Sequence, residues 1–301
     1  MLHDRLNIHL TLVLFSFVFL LMPRLGATEP LLPPLNEPST SQRLAGKFIW
    51  FDLATTDLDN QKAFYGDVFD WTFRTLTDAS DGYTLISSGG RAIAGMFFVK
   101  PHEDAGVGAL WIGLMSTDDL ASAVAAVKQG DGKIHTEPTA VARRGTYALL
   151  LDPEGALFGL LKSDSGDPPD RTTAIGHFLW MDLFADQPTK AGDFYRQLAD
   201  YEITRNRVKE GVDRLILSSQ GKPRAGIVPL PKNANRAGWL PYVRVGSVDE
   251  TLEKVKAAGG HVMVSPHQDL LDGNLAIFAD PQGGVLGIVK WDEPLTDGEG
   301  R

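Results

Sequence analysis

Phe48-Ile49-Trp50-Phe51-Asp52-Leu53 returns in the second half of the chain as Phe178-Leu179-Trp180-Met181-Asp182-Leu183, and Ala63-Phe64-Tyr65 returns at the same offset as Asp193-Phe194-Tyr195. Further along, Ser87-Ser88 and Ala94-Gly95 recur as Ser218-Ser219 and Ala225-Gly226, an offset longer by a single insertion. Trp111 recurs as Trp239. The run from Tyr147 to Lys162, with its Asp152-Pro-Glu-Gly turn, recurs as Leu275 to Lys290, with Asp280-Pro-Gln-Gly. A collinear series of this kind is a duplicated domain.

Each copy holds the same order of patterns twice. Phe48 to Ala54 alternates as a strand. A helix follows, capped by Asp57 or Thr56, with Leu58, Phe64, Tyr65, Val68 and Phe69 at helical spacing. Strand-like runs then cover Trp71–Leu76, Tyr83–Ser88 and Ile93–Val99. The sequence begins again with a strand at Leu110–Met115, a helix at Asp118–Gln129, and strands near Lys133, Tyr147–Leu151 and Leu157–Lys162. The expected class is α+β, built from tandem βαβββ units, four in all, that form two domains with curled mixed sheets.

Residues 45–163 and 174–292 are the expected domains. Residues 164–173, with Asp167-Pro-Pro-Asp170, are a linker. Residues 28–44 are Pro-rich and read as a tether, and 293–301 as a tail. Residues 1–27 read as a secretory signal: Arg5, an apolar run from Leu10 to Met22, then Pro23-Arg24-Leu25-Gly26-Ala27. That run is shorter than the roughly 20 residues of a spanning helix. An exported protein, periplasmic or extracellular, is expected, with no stable membrane span after cleavage; an uncleaved membrane anchor is the alternative. The chain has no cysteine, which removes disulfides, thiol catalysis and zinc–thiolate sites. A net charge of -9, without a basic stripe, argues against a nucleic-acid partner. A homo-oligomer is compatible with the pattern.

The segment from Trp50 to Trp71, with its Phe64-Tyr65 pair, and the two Asp-Pro-x-Gly turns resemble the vicinal oxygen chelate superfamily of glyoxalases, bleomycin-resistance proteins and extradiol dioxygenases. The resemblance covers both copies. It implies two glyoxalase-like domains, each wrapping a cleft. In metal-dependent relatives a histidine stands on the first strand, at a fixed interval before the helical tyrosine, and a glutamate stands on the last strand, after the aspartate of the turn. Here those positions are Trp50 and Gly159, and Trp180 and Gly287. The third ligand usually comes from the strand opening the second unit, but Trp111–Met115 and Trp239–Val243 hold no His, Asp or Glu. Indole and glycine side chains do not coordinate divalent metals. The expected cofactor is therefore none, with a divalent metal held elsewhere as the alternative. His177 is expected to face away from Trp180. His102, His135, His261 and His267 lie in or near loops at non-equivalent positions.

The clefts retain Trp50 with Asp52, and Trp180 with Asp182, two apart and so on one face of each strand. Trp111 and Trp239 are expected to open the other half of each cleft, joined in the second copy by Tyr242, which replaces Leu114. These five aromatic residues make a candidate pocket for a flat or cationic small molecule; space-filling after loss of a metal is the alternative. Asp52 and Asp182 are the only candidate general bases, against a plain reading as carboxylates capping a nearby backbone donor. Arg91, Arg214 and Arg244 read as solvent-facing strand residues, with an anionic ligand as the alternative. The Phe64-Tyr65 and Phe194-Tyr195 pairs read as helix anchors.

Three functions stay open. The first is a glyoxalase-like protein binding a small organic molecule in metal-free clefts. The second is a lyase, isomerase or dioxygenase of the same superfamily, with a non-standard metal site or Asp-based acid–base chemistry. The third is a structural or partner-binding module. An open cleft separates the first two from the third.

Overall fold

The fold was obtained as a computed structural model that describes residues 32–76, 82–101, 108–207, 213–232, 234 and 236–292. Residues 1–27, expected as a signal, His102 and residues 293–301, expected as a tail, lie outside the described residues. In the first half the elements are β1 (Phe48–Thr55), α1 (Leu58–Phe69), β2 (Thr72–Thr75), β3 (Thr84–Ser88), β4 (Arg91–Phe98), β5 (Ala109–Ser116), α2 (Leu120–Gln129), β6 (Lys133–Val141), β7 (Gly145–Leu151) and β8 (Leu157–Ser163). The second half repeats them as β9 (Phe178–Ala185), α3 (Pro188–Ala199), β10 (Glu202–Arg207), β11 (Asp213–Ser219), β12 (Lys222–Pro229), β13 (Gly238–Arg244), α4 (Val248–Ala257), β14 (His261–Val264), β15 (Leu275–Ala279) and β16 (Val285–Val289). The Asp57 carboxylate caps α1 by accepting from the Asn60 amide, which satisfies one of the free donors of the first turn.

Each half forms its own eight-stranded mixed sheet, in the orders β2-β3-β4-β1-β5-β8-β7-β6 and β10-β11-β12-β9-β13-β16-β15-β14. The two βαβββ units of one copy join through antiparallel β1 and β5, or β9 and β13. Both units of a cleft therefore come from one copy. Register decides which side chains share a face. Trp50 pairs with Leu114 and Asp52 with Ile112, whereas Trp111 pairs with Leu53.

One face of both sheets and all four helices merge into a single core. Helix α1 packs on α4, and α2 on α3. Phe51 stacks on Phe178 with ring centres 4.0 Å apart. The two sheets thus meet through their helix-bearing faces, and the other face of each carries a separate cluster, one around Trp50 and Tyr83, one around Tyr242 and Trp180.

The junction of the halves is finished by a reciprocal pair of hydrogen bonds. The Asp152 carboxylate accepts from the amides of Glu154 and Ala156 at 2.9 and 2.8 Å, closing its own turn, and its other oxygen accepts from the Tyr195 hydroxyl on α3 at 3.0 Å. Asp280 does the same with the amides of Gln282 and Gly284 and with the Tyr65 hydroxyl on α1, at 2.8, 2.9 and 2.7 Å. Gly155 and Gly283 sit at φ +86° and +88° in these turns, a conformation that glycine adopts without penalty. The helix tyrosines are thus anchors, as their spacing suggests, and also span the two halves.

Asp152 titrates at about 6 against 3.8 for the free side chain, because burial outweighs the hydrogen bonds from Ala156, Tyr195 and Glu154. Burial likewise raises Asp280. Between the unfolded and folded values the native state holds more protons, so this contribution to stability is full below about pH 4 and is lost as pH rises through about 6. The melting temperature of the wild type minus that of Asp152→Asn is expected to fall between about pH 4 and pH 7. A flat or rising difference would contradict the burial of this carboxyl.

The stretches flanking the first domain pack against it. Leu32 and Leu35 of the Pro-rich stretch lie on the face holding Trp50 and Tyr83. Asn36 reaches Ser165 and Gly166, and the Thr40 amide donates to the Ser165 carbonyl. Composition suggested a tether; here the stretch lays two leucines on an apolar face instead. In the linker, Asp167 accepts from the Leu44 amide and the Ser116 hydroxyl. Asp170 bridges the halves through Lys47 at 2.9 Å and Arg224 at 2.7 Å. Burial alone would raise Asp170, but its hydrogen bonds with Arg224 and Lys47 outweigh this and hold it at about 2.

Candidate functional site

On the face of the first sheet away from the helices, Trp50, Leu114 and Gly159 form one row across β1, β5 and β8. In the second, Trp180, Tyr242 and Gly287 form the equivalent row. Neighbouring side chains fill the glycine positions. A Cβ at Gly159 would meet Leu114 at 2.8 Å, and one at Gly287 would meet the Tyr242 ring at 2.1 Å. No imidazole, carboxylate or thiolate stands in either row, and no group of three His, Cys, Asp or Glu side chains converges among the described residues. The residues present do not fit a divalent metal in these rows.

Beside the first row, the Trp50 indole donates to Asp52 at 3.0 Å and to the Tyr83 hydroxyl at 2.8 Å, and that hydroxyl donates to Asp52 at 2.5 Å. Gly95 makes the room: a Cβ there would sit 1.8 Å from the Tyr83 hydroxyl. Burial pushes the Asp52 carboxyl up, against the opposing pull of Tyr83, Arg144 and Trp50. The Arg144 guanidinium lies over the Trp50 ring, 3.9 Å from its centre, an attractive cation–π arrangement. Tyr147 and Leu149 of β7 complete this face.

The second cleft solves the same problem with other residues. The Trp180 indole donates to Asp182 at 2.8 Å, but the partner standing where Tyr83 stands is Arg214, whose Nη2 pairs with Asp182 at 2.5 Å. Arg214 lies 5.4 Å from the centre of the Trp180 ring. The buried Tyr242 hydroxyl faces the same carboxylate. Trp50 is buried, whereas Trp180 is only partly so.

Several expectations are corrected. Trp111 and Trp239 do not line the clefts. They point to the helix-bearing face, where their indoles donate to the hydroxyls of Tyr65 and Tyr195 at 2.8 and 2.9 Å. The cause is register: alternation put them on one strand face, and only the pairing with β1 and β9 says which face that is. Asp52 and Asp182 accept from side chains rather than capping a backbone donor. Arg214 is not a solvent-facing strand residue; Arg91 is exposed, and Arg244 donates to the Thr173 carbonyl. The face of each cleft indole is approached by an arginine, which disfavours a cationic ligand. Trp50 and Asp52 stand together on one sheet, and Trp180, Asp182 and Tyr242 on the other. Sequence reasoning missed Tyr83, Arg144 and Tyr147. The one signal for Tyr83 was its alignment with Arg214 in the repeat.

The sequence matches the model of the Glyoxalase/Bleomycin resistance protein/Dioxygenase superfamily over residues 47–160 and that of a glyoxalase-like domain over 179–289, together well over half the chain. The chain belongs to this superfamily. CFP32 of Mycobacterium tuberculosis (strain CDC 1551 / Oshkosh), named as a glyoxylase, is 26% identical over 255 residues, covering 84% of this chain and 98% of that protein. The anthracycline biosynthesis protein DnrV of Streptomyces peucetius is 27% identical over 257 residues, covering 81% of this chain and 93% of that protein. Among solved structures, the Mn(II)-bound glyoxalase of Novosphingobium aromaticivorans is similar with a TM-score of 0.57 at 17% identity, covering 84% of each chain. An extradiol ring-cleaving dioxygenase from B. fuscum is similar with a TM-score of 0.56 at 12% identity, covering 89% of this chain and 77% of that one. These structural likenesses establish the glyoxalase fold. No helix among the described residues is long and apolar enough to cross a membrane.

Proposed function

We propose that the chain is an exported glyoxalase-like protein that binds a small organic molecule in its clefts without a resident metal. The observation that supports this most directly is the composition of the two rows. Positions that hold ligands in metal-dependent relatives are Trp50 and Gly159, or Trp180 and Gly287, and Leu114 or the Tyr242 ring fills the space above each glycine. An indole, a carboxylate and an arginine remain on each helix-free face, the composition of a pocket that orients an organic ligand by stacking and a few polar contacts. Export rests on residues 1–27. The second reading, an enzyme of the superfamily, is favoured by similarity to a protein named as a glyoxylase and to a Mn(II)-bound glyoxalase.

The test compares native with denaturing mass spectra of protein purified from its own host, together with calorimetric titration by Mn(II). A mature N-terminus near residue 28, an organic adduct and no Mn(II) binding are expected. A stoichiometric divalent ion would replace this reading with the enzymatic one. A chain that retains residues 1–27 would remove cleavage from it.

A further inference from the structure

The two clefts differ in how their charges are closed. In the second, Arg214 is paired with Asp182. In the first, Asp52 takes its hydrogen bonds from the Trp50 indole and the Tyr83 hydroxyl, both neutral. The nearby cation, Arg144, acts on Asp52 through space without a hydrogen bond to it. Arg144 is 4% exposed, and its Nε, Nη1 and Nη2 all lack a hydrogen-bond partner. The Tyr147 hydroxyl on the same hairpin is also buried without a partner. A buried guanidinium with every donor unused is among the most costly arrangements a protein interior can hold, and the face of one indole does not replace five N–H bonds.

The surroundings narrow the missing partner. Ile112, Leu114 and Leu149 wall this face, and Leu32 and Leu35 lie over it, so water has poor access. The guanidinium fork matches a carboxylate through two parallel N–H bonds. Tyr147 offers a third donor. A phosphate dianion would bring more charge into this apolar setting than one arginine and one hydroxyl neutralise. The repeat supplies the contrast: the positions equivalent to Arg144 and Tyr147 in the second copy are Asp272 and Leu275, so nothing there reproduces the open fork.

We infer that the first cleft is a receptor for a small carboxylate with an apolar body, held by Arg144 and Tyr147, and that the second cleft, neutralised internally by Arg214 and Asp182, is not. This rests on the reading that the clefts bind small organic molecules. It makes the two halves unequal: one receives the anion and the other supports the assembly.

The test titrates the full chain calorimetrically with benzoate, benzamide and inorganic phosphate, and repeats the titration and thermal melting with Arg144→Met and Arg144→Lys. Benzoate is expected to bind at one site per chain, with benzamide and phosphate at least about tenfold weaker. Arg144→Met should weaken benzoate at least about tenfold yet melt at or above the wild type, because it removes a buried guanidinium whose donors have no hydrogen-bond partner. Arg144→Lys should retain part of the affinity. Equal binding of benzoate and benzamide would overturn the carboxylate assignment while leaving small-molecule binding intact. Unchanged benzoate affinity in Arg144→Met, or a lower melting temperature for that variant, would also overturn it, the latter by making Arg144 a structural residue. An absence of benzoate binding overturns it as well, and the adduct spectra described above then decide separately whether any organic molecule is bound.

Discussion

Trp111→Ala is expected to cost the fold about 3–5 kcal/mol, the range for removing a large aromatic side chain from a packed interior, and to leave benzoate binding in the first cleft unchanged. The indole is 3% exposed and sits among Tyr65, Trp71 and Phe178, with ring centres 5.4, 6.1 and 5.3 Å away. Its removal leaves a cavity that rigid strands on one side and α1 on the other cannot close. The Tyr65 hydroxyl loses the indole N–H it accepts. Trp239→Ala is expected to behave alike, since Trp239 holds the same place against Tyr195 and Phe48. Urea unfolding followed by far-ultraviolet circular dichroism measures the cost. A loss below about 0.5 kcal/mol, the level of ordinary surface substitutions, together with weakened benzoate binding, would return Trp111 to the cleft.

Asp280→Ala is expected to cost about 3 kcal/mol or more, because three donors, two of them buried, lose their acceptor at once. Two are the amides of Gln282 and Gly284 in its own turn, and the third is the Tyr65 hydroxyl from the other half. Tyr65→Phe removes the last of these bonds and also leaves the Trp111 indole N–H without its acceptor, and should cost about 1–3 kcal/mol. The double variant should lose about 1 kcal/mol less than the two single losses combined, as partners in one hydrogen bond do. Additive losses would mean that the bond across the junction contributes nothing.

The fold was legible because its signals are local and doubled. Alternation in Phe48–Ala54, the helical spacing of Leu58, Phe64, Tyr65 and Val68, and the recurrence of both in the second copy place β1, α1, β9 and α3 without reference to distant residues. The site was legible only as far as one strand carries it. Trp50 with Asp52, and Trp180 with Asp182, share a face by period alone. Trp111 was misplaced because its face depends on pairing with Leu53 rather than Asp52, a fact of register between strands far apart in sequence. Arg144 was missed because it lies at the β6–β7 turn, beside Gly145 at φ +128°, where no periodicity assigns a side. The Asp-Pro-x-Gly segments are legible in the sequence only as turns. Their second oxygen finds its donor in the opposite half, which no inspection of one copy reveals.

That exchange between the halves has a consequence for how the chain changes over time. A substitution at Asp152 is felt by α3 of the other copy, and one at Tyr65 by the corner at Asp280. The scaffold of each repeat is therefore held in step with its twin, and neither can drift alone. No such bond ties one outer face to the other among the described residues. Tyr83 stands opposite Arg214 and Leu114 opposite Tyr242 on matching strands, and Asp272, in a short 3-10 turn, takes the sequence position of Arg144. The duplication kept the corners alike while the two outer faces took on different side chains.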